Sequence, residues 1–211
     1  MIEIVLFALT SFGVGLSGAL VPGPMFTVTV SDSVKKGFIA GPMVVLGHIM
    51  TEIVMMIVIL AGLGQILGSQ TAAFIIGTFG GIVLIFMGYN TSRSNTALSS
   101  IKTEENGIQK YGSFLKGVIT SLSNPYFFIW WATIGLAFMF KGLALAGIFG
   151  LLSFSIGHWL ADLSWFSIIS FLSSRGSKIM RDRTYKIVMI ICGVFLIILG
   201  IYFIVSQVKL F

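Results

Sequence analysis

The sequence predicts an all-α polytopic membrane protein, with six transmembrane helices in two inverted three-helix repeats. Three observations predict it. The chain has 211 residues, 56% hydrophobic and only 9% charged, with a mean hydropathy of +1.03; soluble domains carry about 25% charged residues. Apolar runs long enough to cross a bilayer, about 20 residues each, follow one another with short polar connections. A set of motifs occurs twice, in the same order.

The expected spans are 3–31, 38–64, 71–91, 113–140, 143–172 and 185–207. The N-terminus, Met1-Ile-Glu, lacks the positive region of a signal peptide, so the first span is expected to stay in the protein. The first, fourth and fifth spans are long, which suits tilt or a break. Lys35 and Lys36 separate spans one and two, and 64–70 is an uncharged turn. Residues 93–112, with Lys102, Glu104 and Glu105, form a linker between a first repeat, 1–92, and a second, 113–211. Lys141-Gly142 links spans four and five, and a basic loop from Arg175 to Lys186 precedes the last span.

Basic residues fix the expected orientation. The connections after spans one, three and five hold Lys35, Lys36, Arg93, Lys102, Lys110, Lys116, Arg175, Lys178, Arg181, Arg183 and Lys186, leaving Lys141 and Lys209 for the other side. The positive-inside rule then puts the linker in the cytoplasm and both termini outside it, in a multi-pass protein of the cell membrane. The same placement explains the net charge of +6 without nucleic acid.

The first span is interrupted by Leu20-Val-Pro-Gly-Pro-Met25. Proline lacks an N–H and clashes with the carbonyl one turn earlier, so Pro22 and Pro24 release the Gly18 and Leu20 carbonyls, while Gly23 lets the chain unwind. Within lipid such groups need protein or water partners, so a broken span implies an internal cavity. Ser123-Asn124-Pro125-Tyr126 repeats the device in span four, and paired interruptions in two halves point to a transporter's binding site. Gly47-His48-x-x-x-Glu52 in span two matches Gly157-His158-x-x-x-Asp162 in span five, and Gly81/Gly88 in span three match Gly193/Gly200 in span six. An odd number of spans per half makes the halves inverted. The glycines, with Gly77 and Gly80, are expected to permit close helix packing.

Glu52 and Asp162 are the acids deep within spans, and an intramembrane carboxylate by default marks a functional site. Each lies four residues after a histidine and shares its helix face. Counting from the basic ends, with the two helices antiparallel, puts His48 level with Asp162 and Glu52 level with His158. Two histidine–carboxylate pairs should therefore meet, either to handle substrate and protons or to tie helices together. Trp130, Trp131, Trp159 and Trp165 are expected mainly in lipid or core contacts.

Ser17-Gly-Ala-Leu-Val-Pro-Gly-Pro24, Lys36-Gly37, the Gly41 to Gly47 stretch, Gly88-Tyr89 and Ser121-Leu-Ser-Asn-Pro125 resemble the LysE/RhtB-type exporter family over nearly the whole chain. The resemblance implies two inverted three-helix repeats and export of amino acids or related metabolites driven by an ion gradient. It also implies that Pro22, Gly23, Pro24, Asn124 and Pro125 flank the pathway. The doubled Gly-His-x-x-x-acid motif departs from many members that export neutral amino acids.

The expected function is therefore secondary, proton-coupled export of amino acids or similar zwitterions, using His48, Glu52, His158 and Asp162. The competing reading is export of a divalent metal cation by the same four residues, whose ligand types suit Zn²⁺ or Mn²⁺. The partners expected are a small-molecule substrate and the lipid bilayer, with homo-oligomerisation left open. No cofactor, resident metal or enzymatic activity is expected. Cys192 is the sole cysteine, which rules out internal disulfides, and no phosphate loop or nucleophile elbow occurs.

Overall fold

The computed structural model describes residues 2–20, 23–63, 70–93, 108–179 and 182–208. Among these residues the regular structure is helical, with no strand. The helices are α1 (Ile2–Ala19), α2 (Pro24–Lys36), α3 (Ala40–Val58), α4 (Gln70–Ser92), α5 (Ile108–Leu122), α6 (Pro125–Trp130), α7 (Leu136–Ala146), α8 (Ile148–Ile179) and α9 (Asp182–Val208).

Both expected interruptions are present. α1 ends at Ala19, and α2 begins with Pro24 after an extended Gly23 (φ −146°, ψ −170°). At a first helical position the missing proline N–H removes no intrahelical bond. Pro22 lies outside the described residues. The second interruption falls between α5 and α6, where Asn124 is extended and its Oδ1 accepts the Tyr126 N–H at 3.1 Å. Asn-Pro is thus a helix cap followed by a helix start. Beyond Trp130 the chain widens into a π turn, Trp131–Gly135, before α7. Such turns often accompany functional sites.

Two expected boundaries move. Lys141 and Gly142 do not link spans four and five: they lie inside α7, and the turn comes at Gly147, whose φ of +56° suits glycine. Gly142 serves packing, because a Cβ at the facing Gly150 would lie 1.9 Å from the Gly142 carbonyl oxygen. Nor is Arg175–Lys186 simply a loop. Arg175 and Lys178 continue α8, and Arg183 and Lys186 begin α9, leaving 180 and 181 outside the described residues. Helix propensity of Arg and Lys lets both helices run past their apolar stretches.

Small residues set the packing. A Cβ at Gly47 would lie 2.0 Å from the Phe114 oxygen, and one at Gly117 2.0 Å from that of Val44; one turn further along both helices His48 meets Ser121, so α3 and α5 run side by side in the same direction. α8 similarly runs along α1 and α2 in the same direction: Ser153 Oγ donates to the Ile4 carbonyl, Ser11 Oγ to that of Phe154, and Ser33 Oγ meets Ser170 Oγ. α4 and α9 are antiparallel, with Gly81 against Gly200 and Gly88 against Gly193. Those glycines, and Gly80 against the Ser123 carbonyl, pack as expected.

Burial is inside-out relative to a soluble domain. Phe79, Phe86 and Phe149 are exposed by 65% or more, whereas Asp32, Glu52, Ser113 and Asp162 are buried. An outer surface this apolar requires a nonaqueous surrounding. Three described helical stretches, Ala40–Gly62, Pro125–Ala146 and Asp182–Ser206, are long and apolar enough to cross a membrane, and Ile2–Leu16 is a shorter apolar helix.

Candidate functional site

The Gly-His pairs explain how two distant helices present their polar faces to each other. A Cβ at Gly47 would strike the α5 backbone, and one at Gly157 would lie 2.2 Å from the Ala8 oxygen of α1. Each glycine admits a neighbouring backbone on one side of its helix. The next residue, rotated by about 100°, then turns its imidazole toward the opposing helix. The acid four residues later joins it on that face.

The four side chains close into a ring. His48 Nε2 lies 3.3 Å from Glu52 Oε1, which lies 2.8 Å from His158 Nε2. His158 Nε2 is 3.5 Å from Asp162 Oδ2, which is 3.8 Å from His48 Nε2. The contacts between helices, His48 with Asp162 and Glu52 with His158, are the two pairings that counting along antiparallel helices anticipates. Glu52 is 1% exposed, Asp162 4% and His158 5%. Glu52 Oε2, Asp162 Oδ2 and His158 Nδ1 have no hydrogen-bond partner within the protein. Carboxylates this buried require compensating charge.

The tautomer of His48 follows from its neighbour. Ser121 Oγ donates its single hydrogen to the Gly117 carbonyl at 2.7 Å and meets His48 Nδ1 at 2.7 Å. Toward the imidazole it can only accept, so Nδ1 carries a hydrogen, and in the neutral imidazole Nε2 turns its lone pair into the ring. Nε2 is therefore the proton-accepting atom. Around the ring stand aromatic groups. Trp130 stacks on His158 at 4.6 Å, Phe154 stacks on its imidazole at 5.9 Å, and Phe127 meets His48 edge-on at 5.5 Å.

The two interruptions flank this assembly. Asn124 and Pro125 lie between Ser121 and Phe127, both in contact with His48. At the first interruption, Ala19 and Met25 pack with Val45, Ile49, Trp165 and Phe166, on the two helices that carry the ring. Just before it, a Cβ at Gly15 would lie 2.8 Å from His158 Nδ1, and one at Gly18 3.5 Å from Trp130 Nε1. Gly23 and Pro24 thus belong to a segment wedged beside the ring rather than to the ring itself.

Three features were not singled out in the sequence. Trp130 was expected in lipid or core contacts but forms a wall of the ring; its place follows from the Asn-Pro break and the π turn. Ser121 is signalled only as the first residue of the Ser121-Leu-Ser-Asn-Pro125 stretch, one turn before Pro125. The third is a second charged cluster around Asp32, which is fully buried. Asp32 Oδ2 accepts from Lys36 Nζ at 2.8 Å and Ser113 Oγ at 2.7 Å, and Oδ1 from Lys116 Nζ at 2.5 Å. The Asp32-x-x-x-Lys36 spacing hinted at it; Lys116 arrives from α5. Burial opposes the charge of Asp32, yet Lys116 and Lys36 hold its carboxyl below the usual aspartate range.

The model of the LysE type translocator family matches residues 16–207. The chain is 24% identical over 189 residues, 90% of both chains, to the "Putative amino acid efflux protein YcgF" of Bacillus subtilis (strain 168). It is 32% identical over 160 residues, 72% of this chain and 74% of the relative, to the threonine efflux protein of Salmonella typhi, and equally to that of Salmonella typhimurium. No solved structure gives a significant match. These names describe translocators and efflux proteins, and none describes a metal carrier or an enzyme. With the family model spanning both interruptions and both halves of the ring, this chain belongs to the LysE type translocator family of membrane transporters and is not an enzyme.

Proposed function

We propose that the protein exports amino acids or related small zwitterions across the cell membrane, driven by a proton gradient, with the His48–Glu52–His158–Asp162 ring as its central site. The observation that carries this reading is the ring itself. Two acids and two imidazoles are buried together between α3 and α8, in a chain whose relatives are named for amino acid and threonine efflux. The substrate ammonium faces Glu52 or Asp162. Its carboxylate meets the N–H groups at the start of α2, where the helix dipole favours negative charge. His48 and His158 take up and release the coupling proton, as groups that titrate near neutrality do. Pro22, Gly23, Pro24, Asn124 and Pro125 line the approaches, where interrupted backbone leaves polar groups free to meet a substrate.

The proposed architecture is six spans in two inverted repeats, 1–92 and 113–211, joined by a cytoplasmic linker at 93–112. Its support is the packing pattern. Exchanging the halves turns the α1–α8 contact, span one on span five, into the α3–α5 contact, span two on span four; both are parallel. The same exchange returns the antiparallel α4–α9 contact to itself. A twofold axis in the membrane plane has that property.

Counterflow in proteoliposomes tests the function: vesicles loaded with an amino-acid panel should accumulate the labelled substrate. No exchange of any amino acid would refute the reading. Orientation is tested in a Cys192→Ser background. A cysteine at Ser206 should react with an impermeant thiol reagent from outside the cell, and one at Ser99 only after lysis. The reverse pattern would remove the inverted arrangement.

A further inference from the structure

We propose that the ring is also a binding site for one divalent transition-metal ion of the Zn²⁺ type, which holds α3 and α8 together instead of being carried across. Nitrogen and oxygen alternate around the ring, with edges of 3.3, 2.8, 3.5 and 3.8 Å. A tetrahedral zinc ion with bonds of about 2.0–2.1 Å keeps its ligands about 3.3 Å apart, close to the four edges, so binding requires the two cross-ring distances to close to the same value. Three of the ligand atoms, from His48, Glu52 and Asp162, lie within 4.8 Å of one another, and His158 joins them through its contacts with the two acids.

Charge and donor type agree. With both imidazoles neutral, as coordination requires, the two carboxylates carry −2, which one divalent cation cancels. Imidazole favours Zn²⁺ and its first-row neighbours over Mg²⁺ or Ca²⁺, which prefer oxygen alone. His48 is already set for coordination, because the hydrogen bond from Nδ1 to Ser121 leaves the Nε2 lone pair facing inward. Such an outer partner is the usual support of a metal-bound histidine. His158 needs only the other tautomer, with its hydrogen moved from Nε2 to the unpartnered Nδ1. Ligands drawn from two helices make the ion a cross-link, so its occupancy opposes any motion of α3 against α8. The inference shares with the export reading only the premise that the ring binds a ligand.

The test uses full-length protein in detergent, stripped with a chelator and titrated with Co²⁺, whose visible spectrum distinguishes tetrahedral from octahedral coordination. The expected result is a saturable tetrahedral spectrum at one ion per chain, bleached by added Zn²⁺. His48→Ala should abolish it. Ser121→Ala, which leaves all four ligands, should weaken Co²⁺ affinity by about 10- to 100-fold, with folding of both variants checked by size exclusion. An octahedral spectrum, or binding unchanged in both variants, would overturn the proposal. Amino-acid counterflow in metal-free vesicles separates the two readings. Exchange there without a tetrahedral Co²⁺ spectrum leaves export standing and removes the metal site. The spectrum without any exchange upholds the metal site and removes export.

Discussion

The ring between α3 and α8 and the cluster around Asp32 both bury acids between helices far apart in sequence, but they balance charge differently. Asp32 faces the ammonium groups of Lys36 and Lys116, with Ser113 filling the remaining acceptor position. Every polar atom there is engaged. Glu52 and Asp162 face imidazoles, whose charge depends on a proton, and three atoms of that ring lack hydrogen-bond partners. A fully satisfied cluster with fixed charges favours one arrangement. An incompletely satisfied one with titratable partners leaves room for a ligand or proton to choose among several. The contrast fits the proposed division, with holding at Asp32 and exchange at the ring.

The largest expected effect breaks the comparison at the ring. Glu52→Gln or Asp162→Asn keeps size and hydrogen-bonding capacity while removing the negative charge. Gradient-driven export in proteoliposomes should fall to the level of protein-free vesicles, with the protein still monodisperse in detergent. Substantial export in the double amide variant would make the ring a second holding cluster and erase the distinction.

Next comes the packing that presents the ring. Gly47→Ala puts a methyl where the Phe114 carbonyl oxygen now lies, 2.0 Å from the new carbon. α3 and α5 must separate, at a cost of about 1–3 kcal/mol for an overpacked contact. Ser121 then withdraws from His48, so both thermal stability and export should decline. Gly37→Ala, with φ +82° but open space around it, strains only the turn between α2 and α3. It should cost about 1 kcal/mol and leave export in place, as paired melting and counterflow measurements would reveal.

How much of this was legible follows from where each interaction lies along the chain. The interruptions at 20–24 and 123–125 were readable because proline acts on its own backbone. The ring was readable because histidine and acid repeat at i, i+4 in two helices whose depths could be counted from Lys36 and Arg175. Trp130 was not, because indole side chains suit lipid, interface and cavity equally, and only the packing of α6 against α1 and α8 decides among them. Asp32 was passed over for a related reason. It follows the apolar part of the first span, where charge is cheap, and what makes it costly is burial under Lys116, 84 residues later in sequence. The turn at Gly147 was misplaced because Lys141-Gly142 has a linker's composition, whereas Gly142 is there for its lack of a side chain.

Smaller effects sharpen the other side of the comparison. Asp32→Asn removes the acid shared by Lys36 and Lys116. Both lysine side chains reach solvent, with 15% and 39% of their surface exposed, so they can rehydrate once released. The loss should therefore be about 1–3 kcal/mol, less than for stranding a fully buried ion. Export should change less than in the ring variants. The dependence on pH has a definite sign. The folded carboxyl is held below the ordinary aspartate value of about 3.9. Its contribution is thus complete above that value and disappears as pH falls through the folded pKa. The melting-temperature gap between wild type and Asp32→Asn should be constant near neutrality and close only in strong acid. Export should instead change with pH while that gap stays constant, because the charge balance of the ring rests on imidazoles. A gap that narrowed in that neutral window would mean that the Asp32 cluster also titrates there, and the division between a holding cluster and an exchanging ring would fail.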